Sequence, residues 1–222
     1  MSVPETAVEN AAAARIADIQ DIRLAVVLNG GVSLAVWISG VTHDLNNLVQ
    51  AGRRRGTENA PPNAYAKLLD VLQADVRIDV ISGTSAGGIN GGFLALGLVH
   101  GCNLAGLRDL WEDQGSLGTL LRNPREKAPP SLLRGQYFHD ELAKAYLKVW
   151  DDTTDPKAPE DEDVDLFLTG TLWDGRRSFF ADDMGRRITE TDYDATFHFT
   201  SDARSSRPRR TAPIAGICSG VT

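Results

Sequence analysis

The feature that most restricts how this chain can fold is the run from Val76 to Val99. It reads VRIDVIS, then Gly83-Thr84-Ser85-Ala86-Gly87, then a further apolar stretch. Val76, Ile78 and Val80 alternate with Arg77 and Asp79, the two-residue period of a strand with Val76, Ile78 and Val80 inward. Gly83–Gly87 is a turn, and the residues beyond it read as a helix to about Val99. A strand passed through a tight turn into a helix is the building unit of an α/β fold. Gly88, Gly91 and Gly92 would let that helix lie close on the strand.

The flanking sequence repeats the pattern. Arg23–Leu28 is a short apolar run bounded by Asn29-Gly30-Gly31, a buried strand followed by a tight turn. Ser33 is placed to cap a helix on which Leu34, Trp37, Ile38, Val41, Leu45, Leu48 and Val49 share a face, and Gly52 stops it. Tyr65, Leu68, Leu69 and Leu72 mark a second helix; Leu104–Asp113 and His139–Trp150 mark two more, with Gly115–Pro130 as a loop. Asp151–Asp165 is an acidic, solvated loop without the spacing of a calcium-binding loop. Val164–Leu172 reads as a strand, Asp174-Gly175 as a hairpin turn, and Arg176–Ala181 as the partner strand. Ala195–Thr200 is another strand, and no period survives beyond Ser201. The expected organisation is a lead-in over 1–21, one α/β domain over 22–200 with a mainly parallel sheet, and an irregular tail over 201–222.

Composition narrows the function classes. Lys and Arg number 23 against 30 Asp and Glu, a net charge of −7, which disfavours a nucleic-acid partner. The same balance argues against general electrostatic adhesion to anionic lipid but leaves local patches open. Cys102 and Cys218 form neither a disulfide framework nor a zinc spacing, so a reducing, cytoplasmic setting is expected, with no metal. Residues 1–20 lack the basic start and apolar run of a secretory signal. Val80–Leu107 has no charged side chain, yet its eight glycines and several polar residues make a poor membrane span. No cofactor is expected: the G-x-G-x-x-G pattern is absent, and Ile89 stands where a P-loop lysine must be.

Gly83-Thr84-Ser85-Ala86-Gly87 matches G-x-S-x-G in the context that gives the motif meaning, after a strand and before a helix. A serine on such a turn is lifted above the sheet edge, and the helix N-terminus behind it favours developing negative charge. The second feature is Asn29-Gly30-Gly31-Val32-Ser33, also between a strand and a helix. Backbone N–H groups of Gly31, Val32 or Ser33, together with that of Ala86, could stabilise a tetrahedral oxyanion.

These two motifs, in this order and about fifty residues apart, resemble the patatin-like phospholipase family, its bacterial branch above all, through GGVSLAVWISG and DVISGTSAGGINGG. The resemblance covers about residues 22–200. It implies a three-layer α/β/α fold, incomplete at the C-terminus, and a lipid acyl hydrolase whose substrate is a lipid or acyl ester, met at a membrane surface. It implies Ser85 as the nucleophile within Gly83, Thr84, Ala86 and Gly87, and Gly30, Gly31, Val32, Ser33 and Ala86 as the oxyanion hole. It also implies a Ser–Asp dyad, so that no histidine is needed.

Two departures stand out. Asn29, Ser33 and Leu34 replace residues of the family's G-G-G-x-R/K-G signature. The aspartate that the family carries in Asp-Gly-Gly or Asp-Gly-Ala has no counterpart, since Asp174-Gly175 precedes Arg176. The catalytic Asp is therefore unassigned, and the chain is expected to stop before that motif. Serine without a base is a weak nucleophile. Two alternatives stay open: an inactive domain that binds a lipid surface or a protein, and an α/β-hydrolase triad of Ser85, Asp174 or Asp182, and His198. His198 reads better as a strand-face residue, His43 and His139 as structural, and Trp111 and Phe138 as core packing.

Overall fold

The computed structural model describes residues 19–55, 63–151 and 163–201. Residues 1–18 of the expected lead-in, most of the acidic loop and residues 202–222 of the expected tail lie outside the described residues, whereas Gln20 and Asp21 belong to the first strand and Ser201 to the last. Strand β1 (Gln20–Leu28) leads through a short 3-10 turn at Val32–Leu34 to helix α1 (Ala35–Arg53). Helix α2 (Ala64–Leu72) and strand β2 (Ala74–Thr84) follow. Beyond β2 come α3 (Ala86–His100), α4 (Leu107–Asp113), α5 (Leu117–Leu120) and α6 (Gly135–Asp151). Strands β3 (Val164–Ala181) and β4 (Arg187–Ser201) complete the order.

The sheet runs β1-β2-β3-β4. The first two pairings are parallel and the third antiparallel. Parallel neighbours need long crossovers, and the helices between β1 and β2 and between β2 and β3 supply them. The mixed α/β class with a mainly parallel sheet is what the sequence led us to expect.

The main core forms where inward strand residues meet the helices: Leu28 from β1, Ile78 and Ile81 from β2, Leu166 from β3, Ile38 and Val49 from α1, Leu94 and Leu98 from α3. Inward residues of β2 do not keep a strict alternation. Leu24 pairs with Ile78 but Ala25 pairs with Val80, so β2 carries an extra residue there. That bulge resets the phase. Ile81 is consequently the fully buried residue, and Val80, expected inward, is only half-buried. Asp79, beside the bulge, receives Arg23 through Nε and Nη2 at 2.7 and 2.9 Å. Asp21, Arg23, Ala25 and Val27 form the exposed side of β1, so among the described residues this face of the sheet carries no helix over β1.

Three local readings need correction. Ser33 does not cap α1; it lies inside the 3-10 turn, Leu34 precedes the helix and no side-chain cap is made. The buried face of α1 is also different: it includes Ser39, Thr42, Asn46 and Gln50, and Asn46 and Gln50 meet Gly97 of glycine-rich α3. Gln50 Nε2 donates to Gly97 O at 3.0 Å and Asn46 Nδ2 to Cys102 O at 3.1 Å, whereas Trp37 is 68% exposed. Asp174-Gly175 is not the hairpin. Thr171 pairs with Asp194 and Arg176 with Asp192, so residues 172–175 form a bulge within one continuous β3. The chain reverses at Asp182–Arg186, where Asp182 Oδ1 accepts from Met184 N and Arg186 N at 3.0 and 2.7 Å and Gly185 takes φ 77°. An Asp-Gly pair satisfies the backbone of either feature, so local sequence does not choose between them.

Candidate active site

Ser85 is the single residue between β2 and α3, with φ 54° and ψ −126°. Such a backbone costs a non-glycine residue about 1–3 kcal/mol and persists only where its surroundings enforce it. A serine before a helix ordinarily caps it. Ser85 makes no side-chain cap, and its hydroxyl has no hydrogen-bond partner among the described residues. Its side is exposed. The helix begins instead with Ile89 N donating to Ser85 O at 3.1 Å. The N–H groups of Ala86, Gly87 and Gly88 therefore have no partner within the helix, the usual state of a first helical turn.

Close approach fixes the surroundings. A Cβ on Gly87 would overlap the Leu28 carbonyl, so the first turn of α3 presses directly on the end of β1. A Cβ on Gly30 would lie 2.8 Å from both Ser85 Cβ and Thr84 O. The turn after β1 and the turn after β2 thus meet, as two parallel neighbours with flush C-terminal ends require: Leu28 pairs with Gly83. Gly31 takes φ 148° and its carbonyl accepts from Leu34 N at 3.1 Å, which starts the 3-10 turn carrying Val32 and Ser33. Gly83 is packed against Gly87 and Gly88, and Thr84 Oγ1 bonds Thr169 Oγ1 of β3 at 2.5 Å.

A cavity of about 590 Å³ opens over Ser85. Ala35 and Val36 of α1 and Ile89 of α3 form one side. Phe138, Leu142 and Tyr146 of α6 form another, and Leu120, Leu133 and Arg134 also line the cavity. Trp111 of α4 also lines it. Trp111 and Phe138 are thus cavity walls rather than plain core, with ring centroids 6.4 Å apart. The Trp111 side chain is held by its indole N–H donating to Asn90 Oδ1 at 3.1 Å. Asn90 is fully buried and donates to Ala86 O at 3.0 Å and Ala35 O at 3.4 Å. Sequence reading missed Asn90; its only signal is an amide placed among glycines on an otherwise apolar helix. Burial pushes the Tyr146 phenol well above its ordinary value, so it stays protonated and cannot serve as a base near neutral pH.

Among the described residues, no carboxylate or imidazole lines the cavity. His198 pairs opposite Phe167 and stacks on it, and its Nε2 lies 2.8 Å from Asp165 Oδ1. It faces Asp165, not Ser85. Asp182 is used by the β3–β4 turn, and Asp174 sits exposed in the bulge. His43 meets Asn47 on α1, and His139 lies within α6, whose first residue is Gly135. Among the described residues, no group of three or more His, Cys, Asp or Glu could hold a metal ion.

Comparison with known families decides the family assignment. Residues 26–216 match the profile of the patatin-like phospholipases. The chain belongs to that family. Among curated proteins, this patatin-like chain is 40% identical over 216 residues to "Uncharacterized membrane protein Rv3479" of Mycobacterium tuberculosis (strain ATCC 25618 / H37Rv). The match covers 89% of this chain and 20% of that protein. No solved structure matches the chain. Among the described residues, no helix is long and apolar enough to cross a membrane.

Proposed function

We propose that this patatin-like domain is a lipid acyl hydrolase that forms an acyl-enzyme at Ser85. The observation that carries the reading is the conformation of Ser85: a strained backbone, a hydroxyl withheld from its own helix, and an apolar cavity over it. An acyl chain would occupy the cavity with its ester carbonyl at Ser85 Oγ. Attack would form the Oγ–C bond and place negative charge on the carbonyl oxygen. Ala86 N–H, together with N–H groups from Gly30 to Ser33, would receive that charge; one such donor is worth about 3–4 kcal/mol. Collapse would release the alcohol, and water would then cleave the acyl-serine. The hydroxyl proton must pass to a base, and the family resemblance gives this role to an aspartate that has no matched position in this sequence.

The lack of a base beside Ser85 among the described residues favours a second reading, in which these residues alone form an inactive domain that binds lipid or protein. A fluorophosphonate probe separates serine reactivity from turnover. We expect the chain to be labelled and Ser85→Ala to lose labelling completely; equal labelling of the alanine variant would overturn the nucleophile. Turnover of a short-chain p-nitrophenyl ester that depends on Ser85 would exclude the inactive reading, and its absence would favour it.

A further inference from the structure

The segment Leu117–Gly135 has a composition unlike the rest of the chain. It holds Arg122, Arg125, Lys127 and Arg134 against Glu126 alone, 4 − 1 = +3, within a chain of net charge −7. Leu121 and Leu133 form an antiparallel bridge. Arg134 N donates to Leu120 O at 2.8 Å and Arg122 N to Leu132 O at 3.1 Å, so the intervening loop is pinned at its base. Leu120, Leu133 and Arg134 of this base line the cavity over Ser85. Leu132 is 74% exposed and Leu117 is 55% exposed, and neither lines that cavity.

The cations differ in how they are engaged. Arg122 pairs with Glu126 at 3.1 Å, and the Arg134 guanidinium lies 4.7 Å over the Tyr137 ring. Arg125 and Lys127 are exposed and make no ion pair among the described residues. Projecting leucines interleaved with unengaged cations suit a surface that is apolar at depth and anionic at its face. An anionic bilayer has that profile: leucines enter the acyl boundary and cations meet headgroup phosphates. An acidic protein would supply the charge complement but not a depth of hydrocarbon for leucines that project rather than line a groove.

We propose that Leu117–Gly135 docks this chain on anionic lipid bilayers, with the mouth of the Ser85 cavity turned toward the headgroups. The orientation rests on the acyl-site reading of that cavity; the docking itself rests on the loop. Net negative charge elsewhere would disfavour other orientations on the same membrane.

The test is co-sedimentation of the full chain carrying Ser85→Ala with phosphatidylglycerol vesicles and, separately, phosphatidylcholine vesicles. The alanine keeps the lipid intact. We expect binding to phosphatidylglycerol that weakens with added salt, and much weaker binding to phosphatidylcholine. Arg125→Glu with Lys127→Glu should weaken the phosphatidylglycerol interaction about tenfold or more, and Leu132→Asp should weaken it as well. None of these three side chains lines the cavity, and an unchanged thermal midpoint checks their fold. Indifference to both vesicles, equal binding to both, or substituted chains that sediment like the parent would overturn the proposal. Since the readout is binding without the Ser85 hydroxyl, failure of the hydrolase reading and failure of docking give different results.

Discussion

Gly87 is where the site tolerates least. Its neighbour is not a movable side chain but the Leu28 carbonyl, so an added methyl would force α3 away from β1. Overpacking of this kind costs about 1–3 kcal/mol and occasionally more. We expect Gly87→Ala to lower stability by about 3 kcal/mol in urea denaturation, and to slow fluorophosphonate labelling at temperatures where the variant remains folded. Gly106, with open space around it, serves as the control: Gly106→Ala should change neither reading. The glycine spacing was legible in the sequence as a sign that helix and strand approach closely. Which atom each glycine meets was not, because that depends on how β1 and β2 pair.

Between elements, α1 and α3 meet along a polar seam that hydropathy does not mark. Apolar spacing selects Leu34 and Trp37 as core positions, yet Asn46 and Gln50 are buried because the Gly97 backbone of α3 approaches them closely and their amides donate to the carbonyls of Cys102 and Gly97. Asn90 extends the seam to α4 by receiving the Trp111 indole N–H. Asn90→Ala removes two donated bonds and strands that indole donor, and a buried unpaired group costs about 1–3 kcal/mol. We expect Asn90→Ala to destabilise by that amount and to loosen the Trp111 wall of the cavity. In a double-mutant cycle, Trp111→Phe should cost about 1 kcal/mol less in the Asn90→Ala background than in the parent; strict additivity would refute the coupling. The same scale explains the misplaced hairpin. Asp174-Gly175 carries turn chemistry, but β4 pairs with β3 on both sides of it, so the turn signal becomes a bulge.

Across the whole molecule, the histidine at the end of α3 ties stability to pH. His100 packs edge-on against Trp150, with centroids 4.6 Å apart, and desolvation lowers its pKa from the ordinary 6.5. The unfolded chain therefore binds a proton at a higher pH than the folded one. Its contribution to stability is complete above about 6.5 and falls away as pH drops from there toward the folded pKa. Denaturation midpoints measured between pH 7.5 and about 5 should fall with acid, and His100→Gln should flatten that slope; an identical slope in the variant would contradict the assignment.

The sequence alone determined the order of strand, glycine turn and helix, and with it the place of Ser85 at a strand-to-helix junction. Those features are local: hydrophobic period, glycine position and chain direction are written within about ten to twenty residues. It also carried the family, through two motifs whose spacing survives without any knowledge of their contact. Only the tertiary structure brought Gly30 against Ser85 and turned Trp111 and Phe138 into cavity walls. It also directed His198 to Asp165 and shifted the buried face of β2 by one residue. Each of these depends on register and packing between segments distant in sequence, and a side chain's partner across a sheet or between helices is fixed by the geometry of both, not by either segment's own pattern.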